Sequence, residues 1–125
     1  MSLRFVVILM TTIGITACSR YNSPSSPSVT PTAAPAGSTM VTISSGASTQ
    51  TTTAFGTNPL LITAGTTISW LNSDNTTHTS TADGNQWSSG DIPPGGRFNF
   101  TLASAGRYTY HCQIHPNMTG TIVVQ

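Results

Sequence analysis

Three residues near the C-terminus carry side chains that bind soft metal ions. Cys112, His115 and Met118 follow one another at intervals of three residues within the segment HCQIHPNM. A thiolate and a thioether are soft ligands and an imidazole is borderline, which suits copper that cycles between Cu(I) and Cu(II). His78, in the segment NTTHT, can supply a second imidazole. Two His and one Cys in a trigonal array with a weak axial Met form a blue-copper electron-transfer site, so the chain holds the ligands for one.

The residues before this loop predict how Cys112 is held. The segment GRYTYHC, ending at Cys112, has the aromatic alternation of a β-strand. Side chains alternate across a strand, so Tyr108, Tyr110 and Cys112 share the face that the aromatics direct to the core. His111 falls on the opposite face, and we expect it to face solvent or to contact the ligand residues without binding the metal itself. His78 must then reach the site from another strand.

Two segments resemble the cupredoxins, the group of plastocyanin and amicyanin. Residues 110–124 resemble the copper loop of that family, and the short Cys-x-x-His-x-x-Met spacing followed by Pro116 is most similar to amicyanin. Residues 64–72, running on to His78, resemble the strand that leads to the family's first His ligand. The resemblance covers residues 39–125. It implies one copper ion per chain, with the ligands His78, Cys112, His115 and Met118.

The resemblance also implies how electrons would enter and leave. In cupredoxins the His of the loop lies at the surface within an apolar ring, and redox proteins dock there transiently. Pro116, with Pro59 and Leu60, would form that ring around His115. One residue departs from the pattern: well-known members have an Asn after the first His, whose hydrogen bonds brace the ligand loop, whereas this chain has Thr79.

Hydrophobic alternation predicts the fold of residues 39–125. Apolar residues recur at period two in several short segments separated by Gly, Pro, Asn and Asp turns. Many short strands of this kind indicate an all-β, antiparallel Greek-key β-sandwich, the cupredoxin-like fold. We expect Trp70 and Met40 to pack in the domain, and Trp87 to cover its surface. The predicted strands lie near 40–45, 49–55, 60–63, 66–72, 77–82, 96–102, 106–112 and 119–125.

The charge composition excludes some classes of function. The chain has 125 residues, four Lys or Arg and three Asp or Glu, and the low charge forms no basic patch for nucleic acid. Beyond residue 17 three Arg and three Asp remain, so electrostatic steering of a partner should be weak. The motifs contain no nucleophile–base pair and no phosphate-binding loop, so we expect a protein that is not an enzyme. We also expect a monomer.

The N-terminal residues predict export. Arg4 and the apolar run 5–15 have the pattern of a signal peptide over residues 1–17. The end of this segment, ITAC, resembles a bacterial lipobox, which implies cleavage before Cys18 and a lipid anchor on it; the alternative is ordinary cleavage after Ala17. Residues 18–38 are rich in Ser, Pro, Thr and Ala and predict a disordered linker. We therefore expect an extracytoplasmic protein tethered to a bacterial membrane.

Two further functions are compatible with these ligands. The same site could buffer or deliver copper outside the cytoplasm, without any redox partner. Cys and His also bind zinc, so a zinc-bound or metal-free interaction module is the third possibility, although zinc has no use for the thioether of Met118. Copper exchange separates a carrier from a deliverer, because a carrier holds its copper through many redox cycles.

Overall fold

The structure is a computed structural model that describes residues 37–125. The predicted signal peptide, Cys18 and residues 18–36 of the predicted linker lie outside the described residues. Within 37–125, no helix is long and apolar enough to cross a membrane.

Seven strands and one short 3-10 helix make up the described domain. The 3-10 helix, Ala47–Thr49, lies between the first two strands. Most strands fall within one or two residues of the positions that the alternation predicts, and β3 matches them at both ends. The strands are β1 Thr39–Ile43, β2 Leu60–Ile62, β3 Thr66–Asn72, β4 Thr81–Ala82, β5 Arg97–Leu102, β6 Gly106–His111 and β7 Thr119–Val124.

The strands form two sheets that face each other across one core. One sheet has the order β1-β3-β5 and the other the order β2-β7-β6-β4. The predicted all-β sandwich is confirmed, but its pairing is mixed rather than wholly antiparallel. β1 pairs with β3 and β2 pairs with β7 in parallel, whereas the other pairs are antiparallel. Alternation reveals which residues face the core, but it carries no information on the direction of the neighbouring strand.

The prediction of a strand at 49–55 is wrong, because no strand forms there. The segment is rich in Thr, a residue with high β-propensity, but its polar side chains form local bonds instead. The Thr49 hydroxyl donates to the Gly46 carbonyl at 3.0 Å, and the Thr53 hydroxyl donates to Gln50 Oε1 at 3.1 Å. Residues 44–59 thus form the irregular connection that crosses from β1 in one sheet to β2 in the other.

Aromatic side chains fill the middle of the core. Trp70 is fully buried, as predicted, and its ring lies 5.7 Å from Trp87 and 5.8 Å from Tyr110, centroid to centroid. Trp87 is 5% exposed, so its predicted place as a surface cover is wrong. Its indole Nε1–H donates to Ser80 Oγ at 3.0 Å, which lets an amphipathic ring lie inside the core. The prediction that Met40 packs inside the domain is also wrong, because its side chain on β1 is 53% exposed.

Candidate metal centre

Two imidazoles and one thiol converge at one end of the sandwich. Cys112 Sγ lies 3.8 Å from His78 Nδ1 and 3.8 Å from His115 Nδ1, and the two nitrogens are 3.2 Å apart. His78 and Cys112 are fully buried, and His115 is partly exposed. Three of the four predicted ligand side chains therefore meet in one triangle, although 34 residues separate the first two in the chain.

The triangle has the dimensions of a trigonal metal site. With bond lengths of about 2.05 Å to nitrogen and about 2.3 Å to sulfur, a trigonal ion would separate sulfur from nitrogen by about 3.8 Å and the nitrogens by about 3.5 Å. The observed separations of 3.8, 3.8 and 3.2 Å are close to these values. One soft sulfur and two imidazoles favour copper among the first-row metals. The residues present therefore fit a copper ion.

Cys112 stands directly after β6, where the strand leads into a tight loop. The Cys112 N–H donates to the Met118 carbonyl at 3.1 Å, and the Met118 N–H donates to the His115 carbonyl at 2.9 Å. These two bonds close the loop on itself and bring His115 Nδ1 within 3.8 Å of Cys112 Sγ. The short intervals between the three residues are thus those of one hydrogen-bonded turn.

His78 reaches the triangle from a separate segment that pairs with Ile92. The Ile92 N–H donates to the His78 carbonyl at 2.8 Å, and the His78 N–H donates to the Ile92 carbonyl at 3.2 Å. This isolated bridge replaces the longer strand predicted over 77–82, of which only Thr81–Ala82 forms β4. These backbone bonds hold the segment of His78 in position.

A buried carboxylate holds the other side of the His78 ring. Asp74 Oδ2 lies 2.9 Å from His78 Nε2, so Nε2–H donates to the carboxylate and Nδ1 keeps its lone pair toward Cys112. The hydrogen bond from His78, followed by that from the Gly46 N–H, holds the pKa of Asp74 well below its usual range. The sequence analysis missed Asp74, although an Asp four residues before a ligand His was a signal that could have found it.

Thr79 braces the ligand loop in two ways. Its backbone N–H donates to Cys112 Sγ at 3.3 Å, and its Oγ1 accepts the Gln113 N–H at 2.8 Å. A donor aimed at the sulfur would offset part of the negative charge that a metal-bound thiolate carries. The hydroxyl of Thr79 thus ties the segment of His78 to the loop of Cys112, the bracing for which the resemblance implied an Asn.

The remaining candidate residues differ in their exposure. Met118, three residues after His115, is fully buried, and its ligation of the metal stays a prediction. His111 lies on the opposite face of β6, as the alternation predicts, where its Nδ1 bonds to Asp83 Oδ1 at 2.6 Å.

Of the residues predicted to form an apolar ring around His115, Leu60 packs against the core, whereas Pro59 and Pro116 are exposed. Ile114, next to His115, is 47% exposed and is an apolar surface residue that the sequence analysis did not single out.

Comparison with known proteins places this fold and site in a family. The family model described as a cupredoxin-like domain matches residues 9–124. A purple cupredoxin from Nitrosopumilus maritimus is similar at 29% identity and a TM-score of 0.63, over 69% of this chain and 98% of that one. The Cu(I) form of a Met-to-Ala variant of amicyanin is similar at 26% identity and a TM-score of 0.61, over 71% and 83% of the two chains.

The oxidised state of a Pro-to-Ala variant of amicyanin is similar at 26% identity and a TM-score of 0.61, again over 71% of this chain and 83% of that one. Comparison with curated protein sequences gave no match. The family model extends over nearly the whole chain, and the resemblance stated from the two sequence segments is confirmed. This protein, a two-sheet sandwich with a His-Cys-His cluster at one end, belongs to the cupredoxin-like family.

Proposed function

We propose that this protein is a type 1 copper electron carrier that holds one copper ion per chain. The observation that carries this proposal is the triangle of His78 Nδ1, His115 Nδ1 and Cys112 Sγ, whose sides fit a trigonal metal site. Met118 is proposed as the weak axial ligand, since it follows His115 on the same closed loop. When bound, copper would supply a one-electron Cu(I)/Cu(II) couple.

The protein's own residues suit such a couple because they resist rearrangement. His78 is bridged to Ile92, and Thr79 ties that segment to Gln113 on the ligand loop. Cys112 would bind as thiolate, because metal ligation enforces its deprotonation and the Thr79 N–H stabilises the charge. A donor set held in one arrangement needs little reorganisation when the charge of its ion changes.

The proposed docking surface surrounds His115. This side chain is partly exposed, and the neighbouring Ile114 and Pro116 are exposed apolar residues. A small apolar patch with weak surrounding charge suits a transient encounter of low affinity with a redox protein. Lipid on Cys18 would anchor the protein to a bacterial membrane outside the cytoplasm, in the periplasm or at the cell surface, a proposal that depends on the sequence ITAC at residues 15–18.

The first experiment adds Cu(II) to the full-length chain, purified in detergent, and follows its visible spectrum through ascorbate reduction and reoxidation. We expect an intense thiolate-to-copper band that bleaches and returns over repeated cycles. Loss of copper to a chelator or acceptor on reduction would favour copper delivery instead. A protein that stays colourless with Cu(II) would contradict the type 1 site.

Met118→Leu tests the axial ligand. Leu has nearly the same volume, so we expect packing to be kept while the thioether donor is lost. Because Cu(II) prefers more ligands than Cu(I), loss of the axial donor should destabilise Cu(II) more and raise the reduction potential by about 60 mV or more, where 59 mV corresponds to a tenfold change for one electron. Cyclic voltammetry measures the shift. An unchanged band and potential would reject axial ligation by Met118.

A further inference from the structure

Asp74 is a charged residue inside the protein with an unusual set of partners. It is 5% exposed, and it is the one Asp or Arg in the buried class among residues 37–125. Its Oδ1 accepts the backbone N–H of Gly46 at 3.1 Å and that of Asn75 at 2.8 Å. Its Oδ2 accepts the Thr76 hydroxyl at 3.2 Å and His78 Nε2–H at 2.9 Å. Both oxygens are therefore used by donors, and the carboxylate is fixed in place.

Asp74 faces an imidazole rather than a permanent cation. In the described part of the chain, the basic side chain in contact with this carboxylate is that of His78, at 2.9 Å, rather than an Arg. Burying a carboxylate without a permanent cation costs free energy, which the hydrogen bonds of Asp74 outweigh, since they hold its pKa well below the usual range. A cation bound at Nδ1 of the same imidazole would lie on the other side of the ring from the carboxylate, and the two opposite charges would attract each other.

The hydrogen bond also decides which nitrogen of His78 is free. The neutral ring carries one proton, and a carboxylate at Nε2 holds that proton there. Nδ1 then points its lone pair at the triangle, 3.8 Å from Cys112 Sγ. Carboxylates that accept from a ligating His orient the ring and make the other nitrogen a better donor.

We propose that Asp74 is the positioning residue of the metal centre, selecting the Nε2–H form of His78 and placing a fixed negative charge behind it that favours the oxidised ion. The second half of this inference rests on the proposed copper function, whereas the first half concerns the metal-free protein. The anchor to Gly46 gives the carboxylate its position, because it ties Asp74 to the connection that follows β1.

The test of the first half uses the full-length, copper-free chain labelled with ¹⁵N-histidine. The whole chain has three His, so their ring nitrogens can be assigned individually. In the wild type we expect His78 with a protonated Nε2 and a bare Nδ1. A His78 that carries its proton on Nδ1 would overturn the proposal without any variant.

Asp74→Asn is the informative variant, since Asn keeps an acceptor for the Gly46 and Asn75 N–H groups. Its NH₂ group would then face His78 Nε2, so we expect the proton of His78 to move to Nδ1. Asp83→Asn is the matched control: it removes the same charge from the other Asp–His pair, the exposed contact with His111. We expect the control to change the signals of His111 and to leave those of His78 unchanged.

Copper measurements test the second half on the same three proteins. We expect Asp74→Asn to weaken Cu(II) affinity about 10- to 100-fold, as is typical of lost outer hydrogen-bond partners. Cu(I) affinity should fall less, so the reduction potential should rise, by 59 mV for each tenfold change in the ratio. Equal shifts in Asp74→Asn and Asp83→Asn would overturn the charge effect. A wild type without a thiolate-to-copper band would refute the copper function, while the His78 protonation result would still decide the positioning role.

Discussion

At the scale of single residues, the geometry of the candidate metal centre depends on residues outside the proposed ligand set. Thr79 shows this most directly, because its Oγ1 accepts the Gln113 N–H at 2.8 Å while its N–H donates to Cys112 Sγ. A Thr therefore replaces the Asn that the family resemblance implied. The Thr side chain is shorter than that of Asn, but its hydroxyl can still bond the ligand loop, because the N–H of Gln113, directly after Cys112, lies 2.8 Å away.

Thr79→Val removes this hydroxyl and keeps the shape of the side chain. The partly buried Gln113 N–H would lose its partner, so we expect the free energy of unfolding of the copper-free protein to fall by about 1–3 kcal/mol. Urea unfolding followed by circular dichroism measures the loss. Thr79→Ser keeps the hydroxyl and serves as the control, and a Val variant as stable as the Ser variant would show that the bond contributes nothing.

At the scale of secondary structure, a close contact between β6 and β7 holds the end of β6, which Cys112 directly follows. Tyr110 on β6 pairs directly with Gly120 on β7, and the Tyr110 ring occupies the space where a side chain at residue 120 would lie. The same ring packs 4.7 Å from Phe55, centroid to centroid, and is 2% exposed. Burial raises the pKa of Tyr110, so the phenol stays neutral inside the core.

Gly120→Ala tests how tightly this pair is packed. A Cβ at residue 120 would lie 2.5 Å from Tyr110 Cε1 and 2.6 Å from its hydroxyl oxygen, so the ring or the strand must move. Overpacking of this kind costs about 1–3 kcal/mol of unfolding free energy, and a displaced Tyr110 would also disturb Cys112 two residues on. Thermal unfolding and the visible band of the copper form measure the two effects.

Gly84→Ala is the matched control for that change. The Cβ at residue 84 would meet the end of the Gln86 side chain, which is exposed and free to turn aside. We expect this variant to unfold like the wild type. Equal stability of both Ala variants would contradict the close packing of Tyr110 on Gly120.

At the scale of the whole molecule, the sandwich unites donors that are far apart in the chain. His78 comes from the bridge to Ile92, and Cys112 with His115 comes from the loop between β6 and β7. The fold brings these segments together at one end and buries Cys112 completely. Metal binding to such a site stabilises the native state, because the unfolded chain cannot present the same geometry.

Copper should therefore raise the melting temperature of the protein. At a free copper concentration 100 times the dissociation constant, the stabilisation is about 2.7 kcal/mol. For a domain of this size that corresponds to a rise in Tm of roughly 10–20 °C. Differential scanning calorimetry with and without copper measures it, and chelation should reverse it. A Cys112→Ser variant should show a much smaller rise; an equal rise would mean that copper acts elsewhere.

The sequence alone determined the features that depend on local pattern. Period-two alternation predicted most strands, and the parity of β6 placed Cys112 inside and His111 outside, as the structure shows. The intervals between Cys112, His115 and Met118 are short enough for one loop to hold all three. These predictions succeeded because neighbours along a strand or turn have their relative positions set by backbone geometry.

Only the tertiary structure decided what depends on distant segments. It showed the Thr-rich segment 49–55 as a connection rather than a strand, the parallel pairing of β1 with β3 and of β2 with β7, and Trp87 inside the core. It also revealed that Asp74 is anchored by the N–H of Gly46, from a segment 28 residues away. Such contacts arise when two sheets close over one core, and no local pattern encodes which segments then meet.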